Sequence, residues 1–209
     1  MIQFDRFEKF YGDRLIVKAD LSLPGNFYWL KGGNGSGKST LLKSVTGLIP
    51  YRGDISVAGM SIKKQRMAYR NAVSYAEAEP LYPEFLTGSD LLNFYVETRG
   101  GSKLQADELV EGLNIGSFIH TKTGTYSSGM LKKLSLALAF IGNPKLIMLD
   151  EPFITIDTIG IEQLNVLIGN SLRNGVQVLI TSHQELSFEG MPKPSMLRIE
   201  NSELIQPAL

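Results

Sequence analysis

Eight consecutive residues, Gly32-Gly33-Asn34-Gly35-Ser36-Gly37-Lys38-Ser39, constrain what this chain can fold into more than any other feature it carries. The spacing of Gly32, Gly37, Lys38 and Ser39 is that of a phosphate-cradling loop, which works only where a strand leads in and a helix leads out. Both neighbours fit: Phe27 to Lys31 reads as a strand, and Ser39 to Leu48 carries a helical pattern that stops before Pro50. The glycines let the backbone curl so that its N–H groups face phosphate oxygens, and the helix beginning near Lys38 adds its positive dipole end. Residues Gly32, Gly33, Asn34, Gly35, Ser36, Gly37, Lys38, Ser39 and Thr40 are the expected nucleotide contacts. Lys38 is placed to reach the β- and γ-phosphates, and Ser39 to ligate magnesium. A glycine-rich turn with an incidental lysine would not need this flanking strand and helix.

Upstream, three strands are expected at Ile2 to Phe10, Leu15 to Leu23 and Phe27 to Lys31, broken at Gly12-Asp13 and Pro24-Gly25-Asn26, giving a small antiparallel sheet. Asp54 to Ala58 and Ala72 to Ala76 read as further short strands. From about Leu86 to Phe118 the spacing turns helical, with a break at Gly100-Gly101. Helix resumes at Gly129 to Ile141, stops at Gly142-Asn143-Pro144 and gives way to the apolar strand Leu146 to Leu149. Another helix, Ile159 to Leu172, precedes a second apolar strand, Val176 to Thr181. Such alternation implies a parallel sheet covered on both faces, with ligands at the carboxyl ends of its strands. Residues 1–209 are expected to form one domain with a helical insertion at approximately 80–142.

Composition narrows the function classes. Twenty-one basic and 21 acidic side chains balance, which leaves no electrostatic footprint for gripping nucleic acid, and no direct nucleic-acid partner is expected. With no cysteine, disulfides and thiolate metal sites are excluded. Met1 to Tyr11 lacks the apolar core of a secretory signal, and no apolar run approaches the roughly 20 residues that span a bilayer, so any membrane role must come through a partner. Lys63, Lys64, Arg66 and Arg70 read as a solvated face.

The strand Leu146 to Leu149 ends in two carboxylates. Asp150 is placed to hold magnesium through water, and Glu151, pointing the other way along an extended chain, to polarise an attacking water. The second apolar strand ends at Thr181-Ser182-His183, on the same sheet edge. His183 therefore faces the nucleotide and is read as bonding the γ-phosphate or the attacking water, while His120 carries the ordinary structural reading.

These elements, in this order, resemble the nucleotide-binding subunits of ABC transporters across nearly the whole chain. The deciding stretch is Tyr126-Ser127-Ser128-Gly129-Met130, similar to that family's LSGGQ signature, although Ser, Gly before a helix also suits a plain helix cap. The resemblance implies an α/β, P-loop NTPase fold with a mainly parallel core sheet, an N-terminal antiparallel β subdomain and an inserted helical subdomain. It implies ATP and Mg²⁺ as ligands, and a head-to-tail homodimer or heterodimer in which Ser127, Ser128 and Gly129 of one subunit close over ATP held by the other. Tyr11 matches the aromatic that stacks on adenine, and Asp157 matches the acid on the dimer seam. A separate transmembrane permease subunit is the implied partner, with the chain cytoplasmic and peripheral on the inner face of the cell membrane.

Two departures stand out. Ser128 replaces a glycine, at a cost if its backbone needs positive φ, and Met130 replaces a glutamine. The family's glutamine after the strand Ala72 to Ala76 is absent from Glu77-Ala78-Glu79-Pro80, so Glu77 or Glu79 is left as the oxygen ligand, or as a solvated acidic turn. Within the insertion, Tyr82, Phe85, Leu86, Leu91 and Phe94 are divided between core and a groove for the membrane partner. The expected function is ATP hydrolysis powering transport, toward export. The alternatives are a soluble relative acting on DNA, ribosomes or cofactor assembly, and a weakly hydrolysing regulatory ATP-binding module.

Overall fold

The computed structural model describes residues 1–185 and 191–207, whose strands join in one continuous sheet of order β5-β4-β1-β2-β10-β9-β3-β8-β7-β6. The strands are β1 (Ile2–Tyr11), β2 (Arg14–Leu23), β3 (Phe27–Lys31), β4 (Arg52–Val57), β5 (Met60–Ser61), β6 (Val73–Ala76), β7 (Leu146–Leu149), β8 (Gln177–Ser182), β9 (Ser195–Glu200) and β10 (Glu203–Ile205). The helices are α1 (Lys38–Val45), α2 (Arg66–Ala72), α3 (Gly88–Arg99), α4 (Lys103–Gly112), α5 (Ser128–Phe140) and α6 (Thr158–Arg173).

The expected antiparallel start holds for β1 and β2, and β4 and β5 extend it on the β1 side, but β3 does not belong to it. It lies parallel between β8 and β9 in the middle of the sheet. The reason is burial on both faces: Phe27, Tyr28, Trp29 and Leu30 are all buried, whereas a strand with one wet face alternates. Gln177 holds the entrance to this strand by donating to the carbonyls of Leu23 and Gly25.

The pair β9 and β10 escaped the sequence reading because β10 has only three residues and their hairpin turns through Asn201 and Ser202. Both residues adopt positive φ (48° and 60°) without the glycine that usually announces such a turn. This hairpin joins the two halves of the sheet, since β10 runs beside β2 and β9 beside β3.

Alternating side chains of β7 and β8 feed two cores on opposite faces. Ile147, Leu149, Val178 and Ile180 pack with α6 and with the helical segment between β6 and β7, namely α3, α4 and α5. Leu146, Met148 and Leu179 pack on the other face with Leu41, Leu42 and Val45 of α1. The glycine loop is thereby fixed between the central strand β3 and a helix clamped to the sheet. Lys63, Lys64, Arg66 and Arg70 are exposed around the start and outer side of α2.

Candidate nucleotide-binding and catalytic site

The loop leaving β3 turns through Gly35 (φ 77°) and Gly37 (φ 100°), left-handed conformations that a side chain would strain. Gly37 is the N-cap of α1 and supplies no side-chain cap, so the first-turn N–H groups keep no such partner of their own. Lys38, 6% exposed, donates to the carbonyls of Gly32 (2.7 Å) and Gly33 (3.2 Å). The loop and its lysine line a cavity of about 860 Å³, together with Tyr11, Glu79, Glu151 and His183. Tyr11 is 54% exposed at its edge, with the Lys9 ammonium 4.5 Å from the ring centroid.

Three charged or titratable groups from separate elements meet in this cavity. Glu151 Oε1 lies 3.4 Å from Lys38 Nζ, and Glu151 Oε2 lies 3.1 Å from His183 Nδ1 and accepts from the His183 backbone N–H at 3.4 Å. The extended backbone expected for Glu151 is not what the chain adopts. β7 ends at Leu149, and Glu151 sits in the left-handed region at φ 46°, a conformation costing on the order of 1–3 kcal/mol. Its N–H is held there by Thr181 Oγ1 at 2.9 Å.

Asp150 is 1% exposed and fully partnered: Thr181 Oγ1 donates to Oδ1 at 2.6 Å and the Tyr75 hydroxyl to Oδ2 at 3.2 Å. Burial first, then the neighbouring Asp150 charge, raises the Tyr75 pKa, so this phenol stays a donor. Thr181 thus orients both carboxylate residues, one through its proton and one through its lone pair. Thr181→Val should destabilise the fold by about 2 kcal/mol, measured by urea denaturation, because a buried carboxylate loses a charge-assisted bond and a strained peptide loses its acceptor.

The acidic turn after β6 divides its side chains. Glu79 lines the nucleotide cavity, whereas Glu77 pairs with Lys43 of α1 at 3.5 Å and lines a separate cleft of about 320 Å³. Beneath the turn lies Lys132, 1% exposed, donating to the carbonyls of Glu77 (2.8 Å), Ala78 (3.2 Å) and Asp150 (2.7 Å). Burial pulls its pKa down to about 8, against the opposing pull of Asp150, Glu151 and Glu79.

At the head of α5, Ser127 is the N-cap, accepting from Met130 N–H at 3.2 Å, and its own N–H meets Met130 Sδ at 3.5 Å. The thioether takes the place that Glu or Gln holds in an ordinary capping box. Ser128 is the first helical residue and does not need positive φ, so the serine carries no backbone cost. Gly129 is required by its neighbour, since a Cβ there would lie 2.7 Å from the Thr155 carbonyl. Asp157 caps α6, accepting from Gly160 N–H at 2.7 Å and pairing with Lys133 at 3.0 Å. The Gly160 N–H, then Lys133, lowers the Asp157 pKa. His120 bonds Ser89 through Nδ1 at 2.8 Å.

A family model described as "ABC transporter" matches residues 18–154, from within β2 to just past the paired carboxylates. The chain belongs to the ABC transporter family. It is 32% identical over 186 residues to the lantibiotic transport ATP-binding protein SrtF of Streptococcus pyogenes, covering 88% of this chain and 80% of that one. It is 30% identical over 197 residues to the linearmycin resistance ATP-binding protein LnrL of Bacillus subtilis, covering 90% of this chain and 63% of LnrL. The fold of this ABC chain matches that of the ATP-binding cassette MJ0796 in its dimeric post-hydrolysis state with ADP and Pi. The TM-score is 0.82 at 19% identity, over 98% of this chain and 96% of that one. None of the described helices is long and apolar enough to cross a membrane.

Sequence reasoning singles out Lys38, Glu151 and His183, and the fold brings them together. It missed Thr181, Tyr75 and Lys132. Lys132 had a signal, a basic pair near the start of the largely apolar stretch Leu131 to Phe140; Tyr75 and Thr181 had none beyond lying at or near strand ends.

Proposed function

We propose that this chain is the ATP-hydrolysing subunit that powers transport by a separate transmembrane partner, in the direction of export. The observation that carries the reading is the meeting of Lys38, Glu151 and His183 in one cavity lined by the phosphate loop. ATP would lie with its adenine against Tyr11 and its phosphates along residues 34–40. Lys38 exchanges the Gly32 and Gly33 carbonyls and Glu151 for the β- and γ-phosphates, which frees the Glu151 carboxylate to accept a proton from water. His183 orients that carboxylate and can bond the γ-phosphate.

Ser39 and Glu79 line the cavity and would hold magnesium by their oxygens, with Asp150 buried behind them and its carboxylate held by Thr181 and Tyr75. When bound, the ion would neutralise charge on the β- and γ-phosphates. Ser127, Ser128 and Gly129 of a second subunit would close the site across the seam marked by Asp157, a reading supported by the dimeric structure of MJ0796.

Support for transport comes from the relative named for lantibiotic transport, and support for export from a 30% identical relative of Shewanella frigidimarina named as a cytochrome c biogenesis ATP-binding export protein. Tyr82, Leu86 and Leu91 pack into the core, whereas Leu81, Phe85 and Phe94 remain exposed as a surface for the membrane partner. The test is to trap the tagged Glu151→Gln variant with ATP and magnesium in its host, solubilise the membranes and identify what copurifies. A polytopic membrane protein in near-stoichiometric amount is expected. Recovery of ribosomes, DNA or an assembly complex instead would leave the chemistry and remove the transport function.

A further inference from the structure

We propose that Lys132 is a positioning residue that replaces a missing rung of the sheet and thereby sets the acidic turn Glu77 to Glu79 against the nucleotide site. The inference rests on the ATPase reading above. Strands β6 and β7 are paired through Ala76 and Leu149, and the last backbone bond between them runs from Asp150 N–H to the Ala76 carbonyl at 2.9 Å. Beyond that point the ladder ends, and the carbonyls of Glu77, Ala78 and Asp150 turn toward Lys132. An ammonium has three protons, and Lys132 spends them on the carbonyls of Glu77, Ala78 and Asp150. A charged group that is 1% exposed is tolerable only with such partners, so burial itself selects this geometry.

The consequence is directional. With the main chain of the turn gripped from below, Glu77 faces Lys43 on one side and Glu79 faces the nucleotide cavity on the other. The grip also ties the turn to the Asp150 carbonyl, so the oxygen ligand at position 79 and the carboxylates at the end of β7 are held in one frame. Lys132 lies three residues after Gly129 on α5, which links that frame to the helix whose head carries the signature.

The experiment compares wild type, Lys132→Met and Lys132→Arg by two readouts. The first is cleavage of the nucleotide-free protein by a Glu-specific protease at the Glu77–Ala78 bond, whose carbonyl is one that Lys132 holds. Lys132→Met should be cut there about tenfold faster, with cleavage after Glu108 and Glu111 of α4 unchanged and Lys132→Arg restored toward wild type. The second is ATP turnover: kcat should fall about 10–100-fold in Lys132→Met, with ATP affinity changed less than about threefold. Should the methionine variant lack a cooperative melt, Lys132→Gln takes its place in both comparisons. Unchanged cleavage at Glu77 overturns the proposal, as does faster cleavage with unchanged kcat. Wild type that releases no phosphate above a Lys38→Met background removes the ATPase reading instead, a separate result from the cleavage comparison.

Discussion

Glu151→Gln should slow steady-state ATP hydrolysis by roughly 10²–10⁴-fold while leaving ATP binding within a few-fold of wild type. The carboxylate is poised by three contacts of different kinds: Lys38 at 3.4 Å, the His183 ring at 3.1 Å and the His183 backbone N–H. Glutamine keeps the size and the acceptor oxygen but has no basicity, so the strained turn at residue 151 and its bond to Thr181 survive. Proton acceptance is lost, together with the negative charge that faces Lys38 and His183. Rates of phosphate release, measured beside equilibrium ATP binding on the same samples, check this. Near-normal turnover would remove Glu151 as the base.

Lys38→Met should have the opposite signature at the binding step. Two charge-assisted bonds to phosphate at about 1.5–3 kcal/mol each predict a loss of ATP affinity of roughly 10²-fold or more, with hydrolysis abolished at the same time. The substitution also strips the largely buried Glu151 carboxylate of its nearest cation. A thermal melt should therefore fall modestly in the absence of nucleotide, and the large rise in melting temperature that ATP gives wild type should disappear. Titration calorimetry or a fluorescent ATP analogue measures the affinity directly. Together the two variants separate the grip on phosphate from the chemistry on water, although both residues touch in the nucleotide-free protein.

The phosphate loop and the paired carboxylates were legible in the sequence because their chemistry is written locally. Gly35 and Gly37 are glycines since the loop must enter the left-handed region there, and Asp150-Glu151 announces itself by ending a wholly apolar strand. What could not be read depends on distant partners. The neighbours of β3 are supplied some 150 residues later by β8 and β9, so contiguity with β1 and β2 suggests an antiparallel meander, whereas burial on both faces suits a parallel place inside the sheet. The backbone of Glu151 was misjudged for a related reason: its φ of 46° is held by the hydroxyl of Thr181, a residue on another strand. Which of Glu77 and Glu79 faces the cavity follows from where the β6–β7 ladder stops and from Lys132 beneath it. The Ser128 departure resolves simply, since a residue in the first turn of α5 has no need of glycine's freedom.

The most direct test of the central claim is to measure bound ATP and released phosphate on one sample of purified wild-type protein with magnesium. The account predicts many phosphates released per site, suppressed in Glu151→Gln although that variant still fills with ATP. Wild type that binds ATP and returns it intact would contradict the account and leave a nucleotide-sensing module in place of a motor.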